Sequence, residues 1–170
     1  MYRSKRWRHV DEDWKAMREY LVKRLGLGLA ATAVASLTAV LGLQAPAFAV
    51  VETYRNFQTG YCLDSNANRN VYTNLCSGAN SYQQWDVIVS GSARQFKNIG
   101  TGLCLDSNSS RNVYTNPCGS NNFQRWTVLY RSNGSISFQN VATGFCLDSN
   151  SSRNVYTNAC SSGNAYQQWV

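Results

Sequence analysis

From Tyr54 onward this chain repeats itself with a period of 42 residues. The segments YCLDSN, LCLDSN and FCLDSN begin at Tyr61, Leu103 and Phe145, 42 residues apart. RNVYTN follows in the same register from Arg69, Arg111 and Arg153, and each copy closes on Q-x-W, at Gln83 to Trp85, Gln124 to Trp126 and Gln167 to Trp169. A copy of about forty residues cannot bury its own apolar face, so the three must pack around a shared centre.

Within a copy, short apolar or aromatic runs alternate with turn formers, which predicts about four short strands. In the first copy these are expected near Tyr54 to Phe57, Tyr61 to Asp64, Asn70 to Asn74 and Gln84 to Val89. Thr59-Gly60 and the stretch from Asn66 to Asn70 supply the turns. No segment of the repeats keeps a helical period, so the expected class is all-β. The predicted core is threefold: Leu63, Val71 and Trp85, with Leu105, Val113, Trp126 and Leu147, Val155, Trp169. Propeller blades have a similar period, and Trp85-Asp86 imitates their W-D pair. The other copies read Trp126-Thr127 and Trp169-Val170, and three blades are fewer than a propeller normally has.

All six cysteines lie in the repeats, one pair per copy at identical spacing: Cys62 and Cys76, Cys104 and Cys118, Cys146 and Cys160. Pairing within each copy is the simple scheme that treats all three alike. Closing a loop of that length stabilises by about 3 kcal/mol in the chain-entropy model. Metal binding fits poorly, because there is no C-x-x-C spacing and the sole histidine, His9, lies far upstream.

Residues 1–49 read as a leader. Lys23 and Arg24 precede an apolar run from Leu25 to Leu43, which ends in Ala47-Phe48-Ala49, the pattern of a secretory signal cleaved after Ala49. An uncleaved anchor is the alternative, since the run is long enough to span a bilayer. Asp11, Glu12 and Asp13 sit oddly in a signal, and Met17 is an alternative start that restores a compact basic region. Export agrees with cysteines confined to the later part, where disulfides form in an oxidising compartment. The net charge of +7 is mostly a property of the leader: after residue 49 there are eight basic and five acidic residues, a balance of +3. The basic residues are scattered singly, without the patch that nucleic acid requires. No nucleic-acid partner is expected, and no membrane partner after cleavage.

Three copies of C-L-D, each followed by a second cysteine and then Q-x-W, resemble the ricin-type β-trefoil lectins over residues 53–170. The resemblance implies a six-stranded barrel capped by three hairpins, with repeats at about 53–91, 92–134 and 135–170, in a secreted domain spanning 50–170. It also implies a shallow sugar pocket in each repeat, and a partner that is a glycan or polysaccharide bound by a monomer. In that family the aspartate of C-L-D holds sugar, and here it stands as Asp64, Asp106 and Asp148. A carboxylate suits the role because it accepts from two vicinal hydroxyls at once.

Other positions depart from the family pattern. A glutamine four residues before the second cysteine and an aromatic two before it are replaced by Tyr72, Tyr114 and Tyr156, then Asn74, Asn116 and Asn158. Aromatic and amide have changed places, yet residues two apart on a strand share a face and can serve one pocket. The family's asparagine before Q-x-W becomes Tyr82, Phe123 and Tyr166, a second aromatic in place of an amide. Galactose specificity is therefore not carried over. On a structural reading, Asp64 and its copies cap turns and the tyrosines pack. Arg69, Arg111 and Arg153 pair with carboxylates or face solvent, without a site role.

Catalysis is not expected. Glycoside hydrolysis usually needs two opposed carboxyl groups, whereas each copy repeats one aspartate, and Glu52 and Asp86 occur once each. Asp64 to Asn68 imitates the start of a calcium loop but lacks the later Gly and Glu, at Arg69 and Leu75. No cofactor or metal is expected. The alternative function is protein recognition, as an inhibitor or adhesion trefoil with decayed sugar sites.

Overall fold

The computed structural model describes residues 50–170. The leader read over 1–49, with its apolar run, cleavage point and Met17, lies outside the described residues. The strands are β1 Val50–Glu52, β2 Cys62–Ser65, β3 Val71–Asn74, β4 Trp85–Ser90, β5 Ala93–Asn98 and β6 Cys104–Ser107. They continue with β7 Val113–Asn116, β8 Trp126–Tyr130, β9 Ile136–Asn140, β10 Cys146–Ser149 and β11 Val155–Asn158. A single 3-10 turn stands before the closing tryptophan of each repeat, at Ser81–Gln83, Asn122–Gln124 and Ala165–Gln167. The all-β expectation is met.

The chain closes a barrel by passing from strand to strand around one axis. β1 pairs with β4, β4 with β5, β5 with β8 through Arg94 and Trp126, and β8 with β9. Trp169 then bridges both Ile136 and Asn56, which returns the ring to its start. The hairpins β2–β3, β6–β7 and β10–β11 have identical register, with Asp64 opposite Tyr72, Asp106 opposite Tyr114 and Asp148 opposite Tyr156. They join one another in a second ring, through bridges from Asn70 to Tyr114, Asn112 to Tyr156 and Asn154 to Tyr72.

One strand differs from expectation. The first was placed near Tyr54 to Phe57, but continuous pairing runs over Val50–Glu52, and only Arg55 and Asn56 form bridges beyond it. Asn56 bridges Trp169 and Arg55 bridges Cys62, while Arg55 exchanges backbone bonds with Val170 and Phe57 N donates to Gln168 O.

All nine predicted core residues are buried, and the three tryptophans are 0% exposed. Removing about 200 Å² of indole from water contributes about 5 kcal/mol apiece before entropy is counted. Each indole N–H donates to a backbone carbonyl: Trp85 to Leu63 at 3.2 Å, Trp126 to Leu105 at 3.2 Å and Trp169 to Leu147 at 3.4 Å. The core also holds a triad that sequence reasoning missed, Tyr54, Phe96 and Phe138, packed edge to face at centroid distances of 4.8–5.4 Å. Their spacing of 42 residues was the available signal. The disulfides are Cys62–Cys76, Cys104–Cys118 and Cys146–Cys160, all within a repeat. Each ties the start of a hairpin to the segment leading into the next 3-10 turn.

Candidate functional site

The alternation of β3 and its copies sets the geometry. Val71 and Thr73 point into the core while Tyr72 and Asn74 are half-buried on the other face, as expected for residues two apart. Because Asp64 is the cross-strand partner of Tyr72, carboxylate, phenol and amide share one face of the hairpin. The same holds for Asp106, Tyr114 and Asn116, and for Asp148, Tyr156 and Asn158. The structure thus brings the sequence-predicted residues of each repeat together.

The aspartate is more deeply seated than a surface ligand group. Asp64 and Asp148 are 1% exposed and Asp106 is 4% exposed. Oδ2 of Asp64 accepts from Gln83 Nε2 at 2.9 Å, Asn80 Nδ2 at 3.2 Å and Asn74 Nδ2 at 3.5 Å. Asp148 accepts from Gln167 at 2.9 Å and Asn164 at 3.1 Å. Asp106 accepts from Gln124 at 3.0 Å and Asn116 at 3.4 Å. Oδ1 of all three has no hydrogen-bond partner. The glutamine of Q-x-W is itself clamped: Gln83 donates to Leu75 O and accepts from Ser77 N. Turn capping, the structural role read for Asp64, belongs instead to Asn66, whose Oδ1 accepts from Asn68 N and Asn70 N.

Burial pushes Asp148 above the ordinary carboxylate pKa, with the Gln167 amide opposing it. Burial, and secondarily the neighbouring aspartate, raises Tyr72, Tyr114 and Tyr156 above the ordinary phenol value. These phenols stay protonated at neutral pH and can donate. Tyr72 donates to Ser65 O at 3.4 Å and Tyr156 to Ser149 O at 3.3 Å. Tyr82 and Tyr166 lie close enough to Tyr72 and Tyr156 to raise them further, so a second aromatic stands near each of these two hairpin faces.

Residues 51–169 match the ricin-type beta-trefoil lectin domain. The chain belongs to that family. No curated protein matches it. Among solved structures it is similar to a designed threefold-symmetric protein, ThreeFoil, at 21% identity and TM-score 0.64, covering 70% of this chain and 95% of that one. It is also similar to a mosquitocidal holotoxin, at 17% identity and TM-score 0.66, covering 72% of this chain and 17% of the toxin. A third is an endo-β-galactosidase from Clostridium perfringens that releases GlcNAcα1-4Gal, at 19% identity and TM-score 0.64, covering 71% of this chain and 31% of the enzyme. The chain therefore spans less than a third of the toxin and of the galactosidase, and at these identities the likeness is one of fold.

Two features of the lectin domain escaped sequence reasoning. The amide counted as lost before Q-x-W is regained in repeats 1 and 3 by Asn80 and Asn164, which lie three residues before the glutamine, cap the 3-10 turn and donate to the aspartate. Their recurrence in the copies was the signal. The arginines do not pair with carboxylates: Arg153 donates to Asn74 Oδ1, Arg69 to Asn116 and Arg111 to Asn158, each in the following repeat. A cavity of about 480 Å³ lies at the barrel mouth among Val87, Val89, Phe96, Val128, Tyr130 and Phe138, and none of the aspartate, tyrosine or asparagine groups above lines it. Among the described residues no helix is long and apolar enough to cross a membrane, and no cluster of three metal-ligating side chains occurs.

Proposed function

We propose that this lectin domain binds glycans at three shallow pockets, one per repeat, outside the reducing cytosol and without catalysis. The observation that carries the reading is the face of aspartate, tyrosine and asparagine that recurs in all three hairpins. One carboxylate oxygen is held by amides that fix its orientation and the other is buried without a hydrogen-bond partner, so the groups each hairpin presents to a ligand are the half-buried tyrosine and asparagine that share its face. Sugar hydroxyls pair with the phenol and the amide, and an aromatic face covers the apolar side of a pyranose ring.

A pocket this small binds a monosaccharide with a Kd of about 1 mM, roughly 4 kcal/mol. Three pockets set around one axis add avidity on the order of a hundredfold on a branched or polymeric glycan that can reach them together. The test is a glycan array with residues 50–170 and the triple variant Tyr72→Ala, Tyr114→Ala, Tyr156→Ala. Tyrosine is the cleaner target because it is half-buried, whereas the aspartates anchor the fold. The expected result is loss of at least tenfold in apparent affinity with near-UV circular dichroism preserved. A folded triple variant that binds as the parent does would show the pockets to be elsewhere.

A further inference from the structure

Among the described residues, positive φ is left to glycine at five positions, Gly60, Gly91, Gly102, Gly134 and Gly144. The exceptions are Arg69, Arg111 and Arg153, at φ 68°, 69° and 68°. A residue with a Cβ is strained there, so an arginine kept at all three places supplies something that glycine would not.

What it supplies crosses the repeat boundary. Arg153 of repeat 3 lies along β3 of repeat 1, where its carbonyl accepts from Thr73 N at 2.9 Å. Its Nη1 donates to Asn74 Oδ1 at 3.2 Å, and its guanidinium stacks over the Tyr61 ring at 4.8 Å. Arg111 repeats the arrangement on Asn158 at 3.0 Å and on Phe145 at 4.9 Å. Arg69 reaches Asn116 at 3.4 Å, where Leu103 takes the place of the aromatic. Asn74 Oδ1 also accepts from Leu75 N at 3.0 Å, so its oxygen is occupied and its N–H faces the Asp64 carboxylate.

Stacking on Tyr61 and Phe145 fixes the guanidinium plane of Arg153 and Arg111, and all three arginines are exposed beside the hairpin they bond. Among the described residues the acids are Glu52, Asp86 and the three buried aspartates, against eight basic side chains, so the exposed surface carries a surplus of cations. An anchored planar fork on such a surface is suited to a carboxylate or sulfate. We propose that Arg153, Arg69 and Arg111 are specificity-determining residues of the pockets in repeats 1, 2 and 3, each lent by the preceding repeat in the ring, and that the saccharides bound there carry a carboxylate or sulfate group. This rests on the glycan-binding reading above.

The test uses an array holding uronate, sialic acid and sulfated glycans beside their neutral counterparts. It compares the parent with the triple variant Arg69→Gly, Arg111→Gly, Arg153→Gly, since glycine accepts the backbone conformation. An Arg→Asn triple, which also tolerates positive φ, is the second variant should the first fail to fold. The parent is expected to bind acidic glycans at least about tenfold better than neutral ones, with the advantage shrinking between about 50 and 500 mM salt. The glycine variant is expected to lose that preference while its affinity for neutral glycans stays within about threefold, a split that a merely structural arginine would not produce. Crossing repeats sharpens the assignment: Arg153→Gly should add no loss of acidic binding to Tyr72→Ala but a further loss to Tyr156→Ala. Binding of neutral glycans alone, or an acidic preference that survives in the glycine variant, overturns this inference and leaves the proposed function standing. Failure to bind any glycan of either kind overturns both.

Discussion

Asp64 acts within a closed set of hydrogen bonds, because Gln83, Asn80 and Asn74 all converge on its Oδ2. Asp64→Ala removes the acceptor and leaves buried amide donors without partners, so it is expected to cost about 2–4 kcal/mol in chemical denaturation. A cost within about 0.5 kcal/mol would mean that the aspartate is only a ligand group. Asp148 carries a pH signature as well. Its folded pKa lies above the ordinary 3.8 because burial disfavours the anion, so the native state holds the proton more tightly than the unfolded chain does. Its contribution to stability is therefore fullest below the ordinary value and is lost as pH rises through the raised one. Measured against Asp148→Asn, the parent should lose stability as pH rises from the ordinary 3.8 through the raised value and stay level beyond it. An opposite slope would contradict the burial argument. At this scale the sequence displayed which side chains recur, such as Asp64, Tyr72 and Asn74. It did not display which atoms meet, since the bond from Gln83 to Asp64 closes a loop of 19 residues and that from Arg153 to Asn74 spans 79.

The strands differ in how completely they are paired, and the difference lies at one seam. β4 and β5 match over six positions and β8 and β9 over five. The third equivalent joint consists of Trp169 and Val170 against Asn56 and Arg55, with Trp169 also bridging Ile136. Few ladder bonds protect that joint, so the amides of Arg55, Ile136, Trp169 and Val170 should exchange with solvent faster than those of Val87 and Phe96. Equal protection would show that the buried Trp169 indole alone stabilises the joint. The hairpins were readable because C-L-D-S and V-Y-T-N alternate cleanly and occur three times, and β2, β3 and β4 fall within one residue of expectation. β1 was not readable. Val50 to Glu52 precede the repeated segments, and their pairing with Val87 to Trp85 is fixed by barrel closure, which no local pattern announces.

Across the whole molecule the three proposed pockets are linked, because each hairpin is supported from both neighbouring repeats. Asn98 of repeat 2 donates to the Tyr82 carbonyl of repeat 1 at 2.8 Å, Asn140 to Phe123 at 2.7 Å and Asn56 to Tyr166 at 2.8 Å, opposite in sense to the arginine bonds. A single repeat therefore lacks part of the hydrogen bonding that surrounds its own proposed pocket. Yet the three are not equal. In repeat 2 the segment from Cys118 to Trp126 is one residue shorter than that from Cys76 to Trp85. The capping Asn121 spends its Oδ1 on Phe123 N and Gln124 N, and only Gln124 and Asn116 donate to Asp106, which is also the most exposed of the three aspartates. Phe123 stands where repeats 1 and 3 have a second phenol, and Leu103 stands where the other repeats give the arginine a ring to stack on. The middle site thus lacks the capping asparagine that donates to the carboxylate in repeats 1 and 3, and has one hydroxyl fewer at its edge and a less firmly seated guanidinium. In binding to an immobilised glycan polymer, Tyr114→Ala should therefore cost less than Tyr72→Ala or Tyr156→Ala, by about threefold or more in apparent affinity, because avidity is lost in proportion to what each pocket contributes. The comparison needs the three single variants at equal density on one surface. If Tyr114→Ala proves the most damaging of the three, the looser middle pocket is the principal site, and the amides that rigidify Asp64 and Asp148 hold those carboxylates away from ligand.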